Sequence, residues 1–205
     1  MDNCLILVAG MPATGKTTFA SYLSAHLHVP MVSKDFVKER LYDAVGFRSR
    51  AEKVKLGAAA MQIMYDFADS CLSAGTPVIL ENNFETQSKP GLRALAEKHG
   101  CRVLTVLFTG DPQVIYGRFA ARDRSPGRHR GHVVNTQYPE RPGGEPEPPR
   151  TTCAQFLAAM EARGMVNFDG GGSTLRVDTT DFQTVSYPAL LSRIKEMLRG
   201  FEDGT

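Results

Sequence analysis

The segment Gly10-Met11-Pro12-Ala13-Thr14-Gly15-Lys16-Thr17 sets two glycines ahead of a lysine and a hydroxyl. This spacing suits phosphate binding. Successive backbone N–H groups can turn inward around a polyphosphate only through dihedrals that Gly10 and Gly15 adopt without penalty. Lys16 then reaches the β- and γ-phosphates, where it is also a candidate catalytic residue. Thr17 falls in the first turn of the helix that follows, where its hydroxyl can ligate Mg²⁺ while free N–H groups and the helix dipole hold the anion. Thr18 can add a hydroxyl to the α-phosphate. Gly10 to Thr18 is thus the expected cradle for a nucleotide tail.

Moving a phosphoryl group needs a cradle, a metal, a positioned acceptor hydroxyl and positive charge on the group in transit. Asp35 is the candidate for holding the acceptor. It follows a short apolar run within Ser33-Lys34-Asp35, and a carboxylate at the end of a strand can take the proton of a hydroxyl and aim its oxygen. The bland alternative is that Asp35 only caps its helix. Glu81 closes the run Val78-Ile79-Leu80, so it stands where an acid could hold Mg²⁺ directly or through water, and Thr17 with Glu81 forms the expected metal pair. Asn82 and Asn83 can hydrogen-bond substrate hydroxyls.

Residues 118–132 hold five arginines, Arg118, Arg122, Arg124, Arg128 and Arg130, against the single acid Asp123. Arg122 and Arg124, at a junction between helix and loop, are the first choices to bridge the phosphates if this segment closes over them. His129 and His132 read as hydrogen-bonding residues of the same segment.

The elements that must position these groups follow from periodicity. Apolar runs of strand length, Leu5–Ala9, Pro30–Val32, Val78–Leu80, Val103–Phe108 and Leu175–Val177, alternate with helical patterns, as in an α/β fold whose parallel sheet is covered on both faces. Helical spacing recurs at Val54, Ala58, Met61, Met64, Ala68 and Cys71, and at Leu190, Ile194, Met197 and Phe201. Asp35 opens a helix to about Tyr42, and Asp111-Pro112 starts another to about Arg122. Six of the twelve prolines then fall between Asp123 and Pro149. No long helix or central strand survives that density, so residues 123–150 are expected to be a flexible lid on a single domain of 1–205.

Composition bounds the class. With 42% hydrophobic and 22% charged residues the chain of 205 is a globular protein with one substantial core. A net charge of +2 does not suggest nucleic-acid binding by the whole surface. Cys4, Cys71, Cys101 and Cys153 are too scattered for a metal site and read as reduced, mostly buried thiols. The run at residues 5–9 is too short for a membrane span and lacks the flanks of a signal peptide, so the expected location is cytoplasmic and no membrane partner is expected. A monomer or weak homodimer is expected.

In order, the Gly10–Thr17 loop, Ser33-Lys34-Asp35, Ile79-Leu80-Glu81, the Arg118–Arg130 segment and Arg176-Val177-Asp178-Thr179-Thr180 resemble the small P-loop kinases. The branch they most resemble contains zeta-toxin kinases, chloramphenicol phosphotransferase, gluconate kinase and the polynucleotide 5′-hydroxyl kinase domain. The resemblance implies a three-layer P-loop nucleoside triphosphate hydrolase fold, a five-stranded parallel sheet in the order 2-3-1-4-5, and ATP with Mg²⁺. It also implies a hydroxyl acceptor against Asp35, a basic residue for the acceptor's phosphate at Lys38, Arg118 stacked on adenine, and Asp178 to Thr180, Thr179 included, along the adenine pocket. Glu81 departs from the aspartate more usual at its place, and residues 139–149 exceed a minimal lid.

The chain has no N-K-x-D guanine motif and no D-x-x-G behind the third strand, as a small GTPase would, and it has Glu-Asn in place of the Asp-Glu strand end of an AAA-type motor and too few residues for that motor's helical lid domain. Two readings remain. The first is an ATP-dependent phosphotransferase acting on a hydroxyl of a small molecule or a nucleic-acid 5′ end. The second is a nucleotide-dependent switch with slow ATP hydrolysis. Nucleic acid is not indicated, because no aromatic-and-basic track for single strands is present. Lys34, Lys38, Arg40, Arg48 and Arg50 make the acceptor region basic enough for a phosphorylated or acidic acceptor, or simply form a solvated face.

Overall fold

A computed structural model describes residues 3–141 and 151–199. Strand β1 (Cys4–Gly10) is buried along its whole length because it lies at the centre of the sheet. It pairs in parallel with β3 (Val78–Glu81) on one side and with β4 (Arg102–Thr109) on the other. Beyond these, β2 (Met31–Ser33) pairs with β3 and β5 (Ser173–Asp178) with β4, giving the order β2-β3-β1-β4-β5. This is the five-stranded parallel sheet that the resemblance implies.

Successive side chains of a strand point to opposite faces, and here each face carries its own core. Cys4, Ile6 and Val8 pack with Phe19 and Leu23 of α1 (Lys16–Leu27) and Ile194 and Leu198 of α8 (Tyr187–Arg199). Leu5, Leu7 and Ala9 pack with Met64 and Ala68 of α3 (Arg50–Ser73) and Leu92 of α4 (Lys89–His99). Three layers result. α2 (Lys34–Val45) packs on α3, and the expected helix at Asp35 therefore begins one residue earlier. α5 (Pro112–Asp123) begins at Asp111-Pro112 as the sequence predicts, with Asp111 accepting from the N–H groups of Gln113 and Val114. It packs against α7 (Cys153–Ala162), and Met11 joins their cluster through Ile115, Phe156 and Met160. Phe201, expected in the last helix, lies outside the described residues.

Register fixes the functional edge. Ser33 is level with Glu81, and Glu81 with Val8, so the chain leaves β1, β2 and β3 at the same carboxyl end. Ligand groups gather at such an edge in an open parallel sheet.

Of the lid expected over 123–150, residues 123–141 are described. The chain turns between Ser125 and Arg128, forms the short helix α6 (Arg130–Val133), and pairs Tyr138 with Phe47 in an antiparallel bridge. Lys53 of α3 donates to the carbonyls of His132 (2.9 Å) and Val134 (2.5 Å) and to Oδ1 of Asn135 (3.1 Å). Prolines and glycines do exclude a long element here. The backbone oxygens are satisfied instead by one buried lysine, which leaves no periodic trace in sequence. Residues 142–150, with Pro142, Pro146, Pro148 and Pro149, lie outside the described residues.

Among the described residues no helix is long and apolar enough to cross a membrane. Cys4 and Cys101 are buried, Cys71 and Cys153 half-buried, and all four are free thiols.

Candidate active site

The cradle follows from backbone geometry. Gly10 has φ +132, and a Cβ there would lie 2.2 Å from the Phe108 carbonyl oxygen, so no other residue lets β1 run this close to β4 as it turns out of the sheet. Gly15, at φ +84, caps α1 with no side-chain oxygen on the first turn and no acid within it. The leading N–H groups of α1 therefore face outward without a competing acceptor. Ala13 sits at φ +64, a conformation costing a non-glycine residue about 1–2 kcal/mol. Two bonds to one carbonyl hold it, from Thr14 Oγ1 (2.8 Å) and from Lys16 Nζ (2.6 Å) to Met11 O.

Lys16 is buried. Burial lowers its pKa to about 8 against the opposing pull of Glu81 and Asp35. A sequestered ammonium whose hydrogen bonds go to a backbone carbonyl and a threonine hydroxyl fits a polyphosphate, since an anion would supply the charge its surroundings lack.

Thr17, Thr18, Asp35, Glu81, Asn83, Arg118 and Arg122 line one cavity of about 360 Å³ together with Ala13, Gly15 and Lys16. Glu81 is buried at its edge, where Oε2 accepts from Ser33 Oγ (2.6 Å) and Thr17 Oγ1 (3.1 Å). Burial raises its pKa, while Lys16 and the Ser33 hydroxyl oppose the rise. Among the described residues no cluster of three or more His, Cys, Asp or Glu could hold a metal alone. Magnesium does not need one, because it takes one or two protein oxygens and completes its shell with phosphate and water. The Thr17 and Glu81 oxygens fit that pattern.

Asp35 projects from the first turn of α2, half-exposed, with Lys38 Nζ at 3.7 Å, Arg128 at 3.8 Å and His132 Nδ1 at 4.0 Å. Burial alone would raise its pKa, but the groups around it, His132, Lys38, Arg128 and Arg122, outweigh that and hold it at about 2. His132 is itself pushed down by burial to about 3, so near neutral pH it is uncharged and the holding cations are Lys38, Arg128 and Arg122. Lys38, Arg128 and Arg122 keep this carboxylate ionised near neutral pH, so it can accept a hydrogen bond and orient a hydroxyl.

The arginines divide. Arg122 lines the cavity, and its Nε, 3.7 Å from Asp123, makes no hydrogen bond among the described residues. Arg118 also lines it, donating to the carbonyls of Thr179 and Thr180 and lying 3.8 Å over the Phe182 ring. Thr179 turns its own hydroxyl to the Thr109 carbonyl (2.8 Å), so it tethers β5 to β4. Arg124 points away, with Nε on the Ala120 carbonyl at 3.0 Å and no part in the cavity. Arg128, not singled out from sequence, comes to Asp35 instead. Asn83 lines the cavity, whereas Asn82 is buried with Nδ2 3.7 Å from Met61 Sδ.

A second cavity of about 440 Å³ opens between α2 and α3. Lys34, Lys38 and Tyr42 form its α2 wall, Gly57 and Met61 belong to its α3 wall, and Glu85, Gln87 and Arg163 close one end. Arg163 ion-pairs with Glu85. Arg163, Phe182 and Lys53 are not singled out in the sequence; Arg163 and Lys53 have no neighbouring motif, whereas Phe182 lies two residues beyond Arg176–Thr180.

A family model described as an AAA domain matches residues 5–138. No curated protein matches the sequence. Among solved structures, a protein from Chloroflexus aurantiacus J-10-fl assigned as a kinase superposes with a TM-score of 0.78 at 26% identity, covering 96% of this chain and 98% of that one. A Janibacter sp. HTCC2649 protein described as a sugar kinase gives a TM-score of 0.57 at 15% identity, covering 97% and 95%. A Sinorhizobium meliloti 1021 gluconokinase gives 0.52 at 13%, covering 98% of each. The last two show a shared fold.

Proposed function

The chain belongs to this AAA domain family, a family of P-loop kinases, and from that premise we propose that it transfers the γ-phosphate of ATP to a hydroxyl of a small molecule. One observation carries the reading: the cradle residues Lys16 and Thr17 and the carboxylate of Asp35 open into one cavity. A nucleotide switch needs only the cradle. A transferase also needs a group to hold the acceptor opposite the phosphate, and Asp35 is placed for that.

Each residue then has a role. The backbone from Gly10 to Thr18 and the Lys16 ammonium hold the phosphates, and Arg122 offsets charge on the transferring group. Arg118, with Phe182 beneath it, offers a flat cationic platform for the base. Thr17 and Glu81 would hold Mg²⁺, which supplies charge neutralisation on the phosphate oxygens. Asp35 accepts a hydrogen bond from the acceptor hydroxyl and aims its lone pair. As the new O–P bond forms, the bond from phosphorus to the bridging oxygen breaks, its electron pair leaves with ADP, and the hydroxyl proton passes to the Asp35 carboxylate and from there to solvent. In a loose transition state the proton moves late, which tolerates a weak base. Neighbours described as a sugar kinase and a gluconokinase support a small hydroxylated acceptor.

The test is calorimetry of ATP binding in magnesium buffer, followed by a screen of alcohols for ATP-dependent phosphate uptake. Binding with transfer to an alcohol is the expected result. Absence of nucleotide binding would refute the proposal, and slow hydrolysis with no transfer would favour a switch.

A further inference from the structure

We propose that His132 receives the acceptor's hydroxyl proton from Asp35, with Glu39 fixing the imidazole so that Nδ1 is the vacant nitrogen. This rests on the phosphotransfer reading and names where the proton goes while the site is filled.

Local structure brings the three groups together. Asp35 and Glu39 are one turn apart on α2, and α6 lays His132 against that face with its side chain only 5% exposed. His132 Nε2 is 3.0 Å from Glu39 Oε1, and Nδ1 is 4.0 Å from Asp35 Oδ1. The approach depends on Gly131, because a Cβ there would overlap the Tyr42 ring, and on His129, whose Nδ1 accepts from Gly131 N–H at 3.0 Å.

The two distances decide the tautomer. A carboxylate only accepts, so a 3.0 Å contact with Glu39 requires the proton on Nε2. Burial, helped by Arg128, Lys38 and His129 and opposed by Asp35, lowers the His132 pKa to about 3, so the ring carries one proton near neutral pH. Nδ1 then presents a lone pair to Asp35. Two acceptors repel, which accounts for a separation of 4.0 Å rather than a hydrogen bond. A proton on Asp35 turns that repulsion into an O–H···N bond.

Among the described residues, no other group beside Asp35 can take the proton. The open side of Asp35 faces the nucleotide cavity, which the substrates fill. Lys38 at 3.7 Å and Arg128 at 3.8 Å, with Arg122 beyond them, are cations with no lone pair to offer. The remaining groups around His132 are Tyr42, edge-on to its ring at 5.7 Å, His129 at 6.0 Å, and Lys53, which donates to the His132 carbonyl. None of them hydrogen-bonds to Nδ1 among the described residues.

The step balances. The alcohol O–H bond breaks as its oxygen bonds phosphorus, an O–H bond forms on Asp35 and breaks in turn, and an N–H bond forms at Nδ1. The resulting imidazolium lies between the carboxylates of Glu39 and Asp35, which favour its charge. When products leave, the proton returns through Asp35 to water refilling the cavity, and the starting tautomer is restored. His132 thus acts through Asp35, and Glu39 sets its tautomer as an orienting carboxylate does in a catalytic triad.

The test begins on the resting protein, in which NMR of the labelled imidazole nitrogens should find His132 neutral with its proton on Nε2 between about pH 6 and 8. Glu39→Gln can donate an amide N–H to Nε2, so the ring should move its proton to Nδ1 and lose the vacancy. His132→Gln keeps an N–H for Glu39 and removes the basic nitrogen. Transfer of labelled phosphate from ATP in magnesium buffer is followed with whichever of gluconate, glucose and glycerol accepts it fastest. Both variants should lower kcat by about tenfold or more, with KM for ATP held within about twofold. Asp43→Asn is the structural control. Asp43 holds His129 (3.0 Å) and Tyr138 (2.8 Å) of the same segment but lies off the proton's path, so kcat should stay within about twofold of wild type. A resting Nδ1–H tautomer, an imidazolium near neutral pH, an unchanged kcat in either glutamine variant, or an equal loss in Asp43→Asn each overturns the inference. So does a KM for ATP that rises in step with the fall in kcat, the mark of a displaced segment. Binding of ATP with transfer to none of the three alcohols is the distinct failure of the phosphotransfer reading, and this inference falls with it.

Discussion

The Thr17 hydroxyl donates to Glu81 Oε2 at 3.1 Å, tying the first turn of α1 to the end of the strand beside the cradle. Ser33 reaches the same oxygen from β2 at 2.6 Å, so three elements converge on one buried carboxylate. That convergence gives glutamate, one methylene longer than the usual aspartate, a fixed direction. Glu81→Gln keeps the shape and removes the charge, so the fold should persist while the requirement for Mg²⁺ rises by about 10–100-fold. Magnesium titration of ADP release measures this. An unchanged half-saturation point would show that Glu81 serves only to bond Ser33 and Thr17.

Asp35→Asn should lower transfer by roughly 10²–10⁴-fold, the range attached to a positioned acid or base. ATP affinity should hold, because the cradle bonds do not involve Asp35. Asparagine can still accept a hydrogen bond, so a loss near the lower end would favour orientation over proton removal. Single-turnover transfer alongside calorimetry separates the two quantities.

A pH effect follows from Lys16. Its pKa of about 8 in the free protein must rise when a polyphosphate binds, so binding takes up a proton only above about 8. ATP affinity should therefore be insensitive to Lys16 below about pH 8 and fall above it, by at most about tenfold per pH unit for one proton. Calorimetry in buffers of differing ionisation enthalpy reads the proton uptake directly. Lys16→Met should bind ATP weakly and lose that uptake.

The strands and the cradle could be read from sequence because both are local, whereas the strand order came only from the resemblance. A parallel strand buried on two faces is a continuous apolar run, as in Leu5–Ala9, and the glycines of the loop are fixed by backbone sterics. Asp35 stands out in sequence because it comes three residues after the Pro30–Val32 run. The arginines were harder, since their directions depend on where α5 stops. Arg118 and Arg122 are one helical turn apart and share the cavity side, while Arg124, two residues on, falls on the other side of the axis. Arg128 returns to Asp35 only because the chain turns between Ser125 and Arg128. Arg163 reaches the second cavity from the end of α7, where its carbonyl accepts from Thr86 N–H at 2.9 Å, a contact that joins residues 77 positions apart. No local pattern encodes that.

The same geometry separates two arginines. Arg128→Ala should reduce transfer, since it removes a cation 3.8 Å from Asp35, and the carboxyl pKa should move upward. Arg124→Ala should leave transfer within about twofold, as expected of an exposed side chain away from the site. Steady-state kinetics on the two variants side by side decides the matter. Equal losses would mean that Arg124 swings inward when nucleotide binds.

Lys53 offers the sharpest test of how the segment after α5 is held. Its ammonium donates to two carbonyls and to Asn135, so Lys53→Met strands those acceptors while removing the cost of burying a charge. An unsatisfied buried group costs roughly 1–3 kcal/mol, and the relief of burial offsets part of the total. A net destabilisation of about 1–3 kcal/mol is expected on the same grounds, with faster proteolysis between residues 129 and 141. Burial lowers the Lys53 pKa to about 7, with Lys38 and Arg50 pushing the same way. The unfolded chain then binds more protons than the folded one between about pH 7 and its unperturbed value near 10.5. Wild-type stability should accordingly gain from this group as pH rises through that window, and the gain should vanish in Lys53→Met. Urea unfolding of both proteins across the window reads the difference. If the two curves stay parallel, Lys53 keeps its charge throughout, and its three acceptors rather than burial set its ionisation.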